Sequence, residues 1–243
     1  MKIGILETGP VAEELIADHG PYTAFFARML HRADPSIEIE GYAVFDGEFP
    51  AAPDSADGWI ISGSKFGAYE DHAWIPPLED FLRRAVAARI PVAGFCFGHQ
   101  ILAQALGGTV VKSDKGWGLG IHNYDLLARP DWMADAGTSF AATAIHQDQV
   151  TDLPEGAHVL ASSEFCPHAV LAYGDIDRPI AISTQPHPEF EPDFTAGLID
   201  ARIGAPFPVD RSLAAQKTLG APNNNRDWSR WVVAFFRAAL NTR

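Results

Sequence analysis

Residues Ile90 to Gly108, IPVAGFCFGHQILAQALGG, constrain the fold of this chain more than any other stretch. A short apolar run from Pro91 to Phe95 leads directly into Cys96, and a helix-period pattern leaves it and stops at Gly107-Gly108, a pair suited to a C-cap. Cys96 is therefore expected on a strand-to-helix turn. Gly94 and Gly98 flank it symmetrically, giving G-x-C-x-G, the cysteine counterpart of a nucleophile elbow. In such a turn only small neighbours permit the strained backbone that pushes the central side chain forward. The N-terminus of the departing helix adds partial positive charge, the environment in which cysteine nucleophiles are found. The plain alternative is a cysteine packed in a tight turn, and the two flanking glycines weigh against it.

A nucleophilic cysteine needs a base, and the base needs an orienting group. Thr184 to Phe190, TQPHPEF, offers both. Pro186 and Pro188 bias the segment towards extended backbone, where residues i and i+2 share a face about 6.6 Å apart. Glu189 can then reach the imidazole of His187. Taken alone, the segment also reads as a proline-rich surface turn with incidental charges.

The rest of the chain supplies a scaffold. Lys2 to Glu7 reads as a first strand stopping at Thr8-Gly9-Pro10; Val11 to Asp18 and Tyr22 to His31 read as a helical segment broken at Gly20-Pro21. Ile37 to Phe45 and Gly58 to Ser62 follow as strands, Ile75 to Arg89 as a helix opening on Pro76-Pro77, and Pro91 to Phe95 as another strand. This alternation predicts an α/β fold, a doubly wound, mainly parallel sheet flanked by helices. Beyond Gly108, six short runs (109–112, 119–127, 139–145, 158–162, 169–173 and 179–184) read as strands with no helices between them, an antiparallel β-rich extension. A helical stretch near Phe194 to Ile203, a loop through Asn223-Asn224-Asn225 and an amphipathic helix from Asp227 to about Leu240 close the chain. No repeat or dividing linker is visible, so residues 1–243 are expected to form a single domain.

Composition excludes several classes of function. With 18 Lys and Arg against 31 Asp and Glu, the formal net charge of −13 repels phosphate backbones and anionic lipid, so neither nucleic acid nor a membrane is an expected partner. Two cysteines, Cys96 and Cys166, without a CxxC pair or a signal-peptide pattern, fit a reducing cytoplasm. No P-loop is present, and Gly116-Trp117-Gly118-Leu119-Gly120 lacks the strand-to-helix context of a dinucleotide loop. Zinc-ligand spacings such as H-E-x-x-H are missing, so no cofactor and no metal are expected. Cys166, between Phe165 and Pro167, reads as a packing residue.

Together the elbow and the later His-Pro-Glu resemble the class I, or triad, glutamine amidotransferases, where G-x-C-x-G-x-Q is paired with H-P-E. Here those are Gly94, Cys96, Gly98 and Gln100, then His187, Pro188 and Glu189. Ile61-Ser62-Gly63-Ser64-Lys65, after a buried strand, looks like the family's oxyanion loop. The resemblance covers most of the chain. It is strongest to stand-alone proteins similar to the amidotransferase domain of GMP synthase, a subgroup that also contains γ-glutamyl peptidases. It implies Cys96 as nucleophile, His187 as general base and acid, and Glu189 as its orienter. It further implies an oxyanion hole from Gly63, Ser64 and the Phe97 amide, and substrate contacts from Gln100, His146, Gln147 and Asp148. His99, inside the helix, is expected to support the site and not to react. Two departures stand out: Phe95 replaces a smaller aliphatic residue before the cysteine, and Ser62-Gly63-Ser64 is less glycine-rich than usual. Neither removes a side chain that the chemistry needs.

The expected activity is hydrolysis of a γ-glutamyl amide, glutamine to glutamate and ammonia, through a γ-glutamyl thioester. The substrate is then glutamine or another γ-glutamyl compound. The implied partner is a separate synthetase subunit that takes the ammonia, because no acceptor domain is visible in the chain. The alternatives are a stand-alone γ-glutamyl peptidase and a non-catalytic regulatory or binding module on the same scaffold; the intact Cys-His-Glu set argues against the last.

Overall fold

The computed structural model describes residues 1–241. In chain order the elements are β1 (Lys2–Glu7), α1 (Glu13–His19), α2 (Tyr22–Ala33), β2 (Glu38–Ala43), β3 (Gly58–Ile61), α3 (Ile75–Ala87), β4 (Val92–Phe95) and α4 (Phe97–Ala105). Then come β5 (Thr109–Lys112), β6 (Gly118–Leu126), β7 (Ser139–His146), β8 (Asp148–Asp152), β9 (Ala157–Ser162), β10 (Val170–Gly174) and β11 (Pro179–Thr184). Three helices finish the chain: α5 (Pro192–Arg202), α6 (Val209–Gln216) and α7 (Asn225–Leu240).

Nine strands form one sheet in the order β2-β1-β3-β4-β11-β10-β9-β6-β7. The first five are mutually parallel, and the last four run antiparallel to their neighbours. The fold is α/β with flanking helices, and the β-rich extension continues the same sheet. Strand β11 makes that continuity, because it pairs parallel with β4 on one side and antiparallel with β10 on the other.

The period of two along each parallel strand divides the core between the two faces. Ile3, Ile5, Ile60, Ala93 and Phe95 pack with Phe25, Phe26, Trp231 and Phe236 of α2 and α7. Leu6, Trp59, Ile61 and Val92 pack on the other face with Phe81, Leu82, Phe97 and Ile101 of α3 and α4. Among the described residues no helix is long and apolar enough to cross a membrane.

Two elements are not expected from the sequence. Residues 204–224 contain α6, a helix of eight residues whose only buried side chains are Ser212 and Ala215. So thin an apolar stripe, flanked by prolines, carries little helical signal. Strand β8 pairs antiparallel with β5 in a separate two-stranded sheet, and its polar sequence DQVTD hides it. The Asn run that reads as a loop has a structural use: Asn224 exchanges two hydrogen bonds of 2.8 Å with the backbone of Ala141 on β7, and Asn225 begins α7.

Candidate active site

Parallel strands deliver functional side chains at their C-terminal ends, where the crossover loops open. Here β1 runs into Thr8, β3 into Ser62-Gly63-Ser64, β4 into Cys96, and β11 into the segment bearing His187. Four loops distant in sequence therefore meet at one edge of the sheet.

Cys96 has φ 51° and ψ −101°, a conformation that L-residues rarely adopt and that marks a strained turn. Its N–H donates to Thr184 O at 2.9 Å and its carbonyl accepts from Gln100 N at 3.1 Å, so β11 and α4 both hold the elbow. The flanking glycines are obligatory for steric reasons. A Cβ on Gly94 would stand 2.3 Å from Gly98 O, and one on Gly98 would stand 2.4 Å from Ile61 O. Sγ lies 3.8 Å from Ile145 O.

His187, 3% exposed, is fixed on four sides. Its backbone N–H donates to Thr143 O of β7 at 2.7 Å, and its Nδ1 bonds Glu189 Oε1 at 2.7 Å. Phe190 stacks flat on the imidazole with ring centres 4.0 Å apart and planes 10° from parallel. The fourth side is Gly63, where a Cβ would meet Cε1 at 2.9 Å and Cys96 Cβ at 3.8 Å. With Nδ1 committed to a carboxylate, Nε2 is the nitrogen left for the neighbouring Cys96. Burial opposes a charge on this imidazole, but Cys96 and Glu189 together outweigh it and push its pKa up to about 10. Glu189 is itself buried, and among the described residues its second oxygen has no hydrogen-bond partner.

The loop after β3 is anchored by a residue outside every motif visible in the sequence. Thr8, wholly buried, donates from Oγ1 towards Ser62 O at 3.1 Å and Gly63 O at 3.0 Å, while Ser64 Oγ donates to Thr8 O at 2.6 Å. The Ser64 side chain is thus occupied. In a trans peptide, holding the Gly63 carbonyl towards Thr8 turns the Ser64 N–H to the opposite side. Phe97 opens α4, so its N–H belongs to the first turn, which the helix's own ladder does not use. Thr8 was detectable in principle, since it sits at the C-terminal end of the first parallel strand.

Two cavities adjoin the elbow. The smaller, about 150 Å³, is lined by Cys96, Gln100, Lys112, His146, Gln147 and Asp148 among others. Gln100 is a strut there, with Nε2 bonded to Asp148 O at 3.1 Å and to Gln185 Oε1 at 3.2 Å. His146 donates from Nδ1 to Asp148 O at 3.2 Å, its Nε2 is buried without a partner among the described residues, and burial pushes its pKa down to about 3. Gln147 bonds Ser113 O at 3.3 Å. Burial raises the pKa of the Asp148 carboxyl against the opposing bond from Tyr69. The larger cavity, about 600 Å³, is lined by His187 and by residues of α1, α2 and α5. Ser64, Lys65, Trp117 and Ile145 line both. Trp117, the wall between them, packs edge-on against Phe207 at 4.7 Å, and its carbonyl accepts from Arg211 of α6.

His99 lies beneath the elbow, bonded to Ser183 Oγ at 2.8 Å, with its pKa lowered to about 3 by burial. Cys166 belongs to none of the elbow loops and is buried, and loss of solvation pushes its thiol up to about 12. Among the described residues no group of three or more His, Cys, Asp and Glu side chains is arranged to hold a metal ion.

The family model for glutamine amidotransferase class-I matches residues 17–197, and the chain belongs to that family. It is 31% identical over 229 residues to γ-glutamyl peptidase 4 of Arabidopsis thaliana, covering 91% of this chain and 88% of that one. One subunit of the glutamine-hydrolysing GMP synthase of Halobacterium salinarum is 28% identical, over 72% of this chain and 87% of its own. A crystal structure of a glutamine amidotransferase from Methylobacillus flagellatus superposes with a TM-score of 0.76 at 21% identity, covering 99% of this chain and 94% of that one, and so shares the fold.

Proposed function

We propose that this family member hydrolyses the γ-amide bond of γ-glutamyl compounds, with Cys96 as nucleophile, His187 as general base and acid, and Glu189 as the group that orients His187. The observation that carries this reading is the 2.7 Å bond between Glu189 and a buried imidazole that borders Gly63 together with a cysteine on a strained elbow. The Cys96 sulfur attacks the γ-carbonyl carbon with its proton already held by His187. The resulting oxyanion is met by the N–H groups of Phe97 and of Gly63 and Ser64. As the C–N bond breaks, His187 returns its proton to the departing nitrogen, leaving a γ-glutamyl thioester. Water, deprotonated by His187, then attacks the thioester carbon; the C–S bond breaks, glutamate leaves and the thiol is restored.

The glutamyl end sits in the smaller cavity, where Asp148 and Lys112 supply opposite charges to its ammonium and carboxylate groups. Gln100 acts through Asp148, by holding that residue's backbone, and His146 does the same from its Nδ1. The relative named as a γ-glutamyl peptidase matches along nearly the whole chain. This supports water as the acyl acceptor and a stand-alone enzyme over one that delivers ammonia to a synthetase partner. The test is release of glutamate from glutamine and from γ-glutamyl dipeptides by the purified protein, together with labelling by an electrophilic glutamine analogue. Label on Cys96, lost in Cys96→Ser, is expected; turnover without labelling there would reject the assignment.

A further inference from the structure

The two cavities divide the substrate between them, and the following inference rests on the hydrolytic reading above. Cys96 and Gln100 line the smaller cavity, whereas His187 lines the larger. The departing nitrogen has to lie within hydrogen-bond reach of the imidazole that protonates it. The acyl half therefore occupies the smaller space, and whatever is attached to the nitrogen extends past Trp117 into the larger one.

Ammonia needs about the volume of one water, ~30 Å³. The leaving-group cavity is about 600 Å³, within the range of sites that enclose a small organic ligand. Its walls are Val11, Tyr22, Phe190, Phe194, Leu198 and Phe207, four of them aromatic. Of these only Leu198 is more than marginally exposed, so they form a firm apolar wall. Besides His187, the charged side chains that line the cavity are Glu13, Glu14 and Lys65, which are exposed, and the half-buried Arg202, which already pairs with Glu14 at 3.4 Å. A leaving group bearing a charged side chain would lose hydration there without gaining a partner deep in the cavity, and an apolar one would gain by burial.

We infer that the chain selects γ-glutamyl amides whose leaving amine carries a bulky apolar group, aromatic or branched aliphatic, and that Phe194, Leu198 and Phe207 set this preference. Helix α6 contributes by fixing the partition, since its Arg211 holds the Trp117 carbonyl.

The test is kcat/KM of the purified full chain for γ-glutamylphenylalanine, γ-glutamylglycine, γ-glutamylglutamate and glutamine. The phenylalanine compound is expected to exceed the other three by roughly 10- to 100-fold, the discrimination that a buried apolar side chain supplies. Leu198→Asp should collapse the phenylalanine-to-glycine ratio, and Leu198→Ala should reduce it several-fold; the wild-type series decides the matter even where a variant misfolds. Glycine, glutamate or glutamine turned over as efficiently as the phenylalanine compound overturns the leaving-group inference and leaves γ-glutamyl hydrolysis standing. No turnover of any of the four, with no acylation of Cys96, removes both.

Discussion

Replacing Gly63 by alanine tests the site with a single methyl group. The backbone there lies outside the left-handed region, so alanine is conformationally permitted and its effect is confined to contacts. The new Cβ would stand 2.9 Å from His187 Cε1, where ordinary contact begins at 3.4 Å, so one of the two must retreat by about 0.5 Å. The imidazole has nowhere to go, with Phe190 stacked on its face, Glu189 bonded to Nδ1 and Thr143 holding its backbone. Misplacing a catalytic group by about 1 Å can cost on the order of 100-fold in rate, so a shift half that size predicts a fall of roughly 10- to 100-fold in kcat/KM. The stability cost of such overpacking is about 1–3 kcal/mol. The assay is steady-state glutamate release alongside urea unfolding, with the fold confirmed by circular dichroism. Wild-type kcat/KM in a folded Gly63→Ala protein would show that the loop does not constrain His187 during turnover, and the oxyanion and base assignments would both fail.

Cys96→Ser should lower kcat/KM by more than about 1,000-fold without unfolding the protein, and Cys166→Ser should leave it within a few-fold of wild type; glutamate release by both variants checks the pair. Thr8→Val removes the hydroxyl that holds the Gly63 carbonyl; a loss of about 1–3 kcal/mol in urea unfolding is expected, with a fall in kcat/KM that Thr8→Ser restores. His99 and His146, both held near a pKa of about 3 by burial, accept protons readily only in the unfolded chain, so their contribution is intact above about pH 6.5 and declines as pH falls towards 3. Between pH 7 and pH 5 this predicts a loss of about 2 kcal/mol per histidine, measured by urea unfolding at both values and reduced by about half in His99→Gln. His187 has the opposite sign, contributing fully below about pH 6.5 and losing that contribution as pH rises through about 10.

The parallel half of the fold was legible because its strands are short, apolar and punctuated by Gly and Pro, and because Pro76 and Pro77 mark the start of α3. The Cys-His-Glu constellation was legible for a different reason: the elbow glycines and the two prolines are local backbone devices, so they leave a local trace. Thr143 and Trp117 left none, because each acts through a contact made at long range, by a carbonyl and a ring respectively, and Thr8 left only its place at the end of β1. Gln147 and Asp148 came only through the family resemblance, and the strand that holds Asp148, β8, was hidden by its own polarity. Gln100 and His146, expected to touch substrate, line the smaller cavity and also hold the Asp148 backbone.

The antiparallel extension has a consequence for the chemistry that the parallel half alone could not supply. Cys96 and the Gly63 loop belong to the parallel strands, but the His187 backbone is bonded to Thr143 on β7, the far edge of the sheet in strand order. The segment bearing His187 leaves β11, a parallel strand, and is tied at its backbone to the antiparallel extension, so the separation of the proposed nucleophile and base depends on β11 and on the register of β7. A slip of one residue would exchange inward and outward side chains and take the Thr143 carbonyl away from His187. Two features oppose that slip: the continuous β6–β7 ladder from Gly118↔His146 to Asp125↔Ser139, and the paired bonds by which Asn224 clamps Ala141 on the outer edge. Asn225, the next residue, bonds Phe190 O at 2.8 Å and so steadies the ring stacked on His187. The beginning of α7, far from Cys96 in sequence, therefore bears on the base from two directions, through the strand that holds its backbone and through the ring that holds its plane.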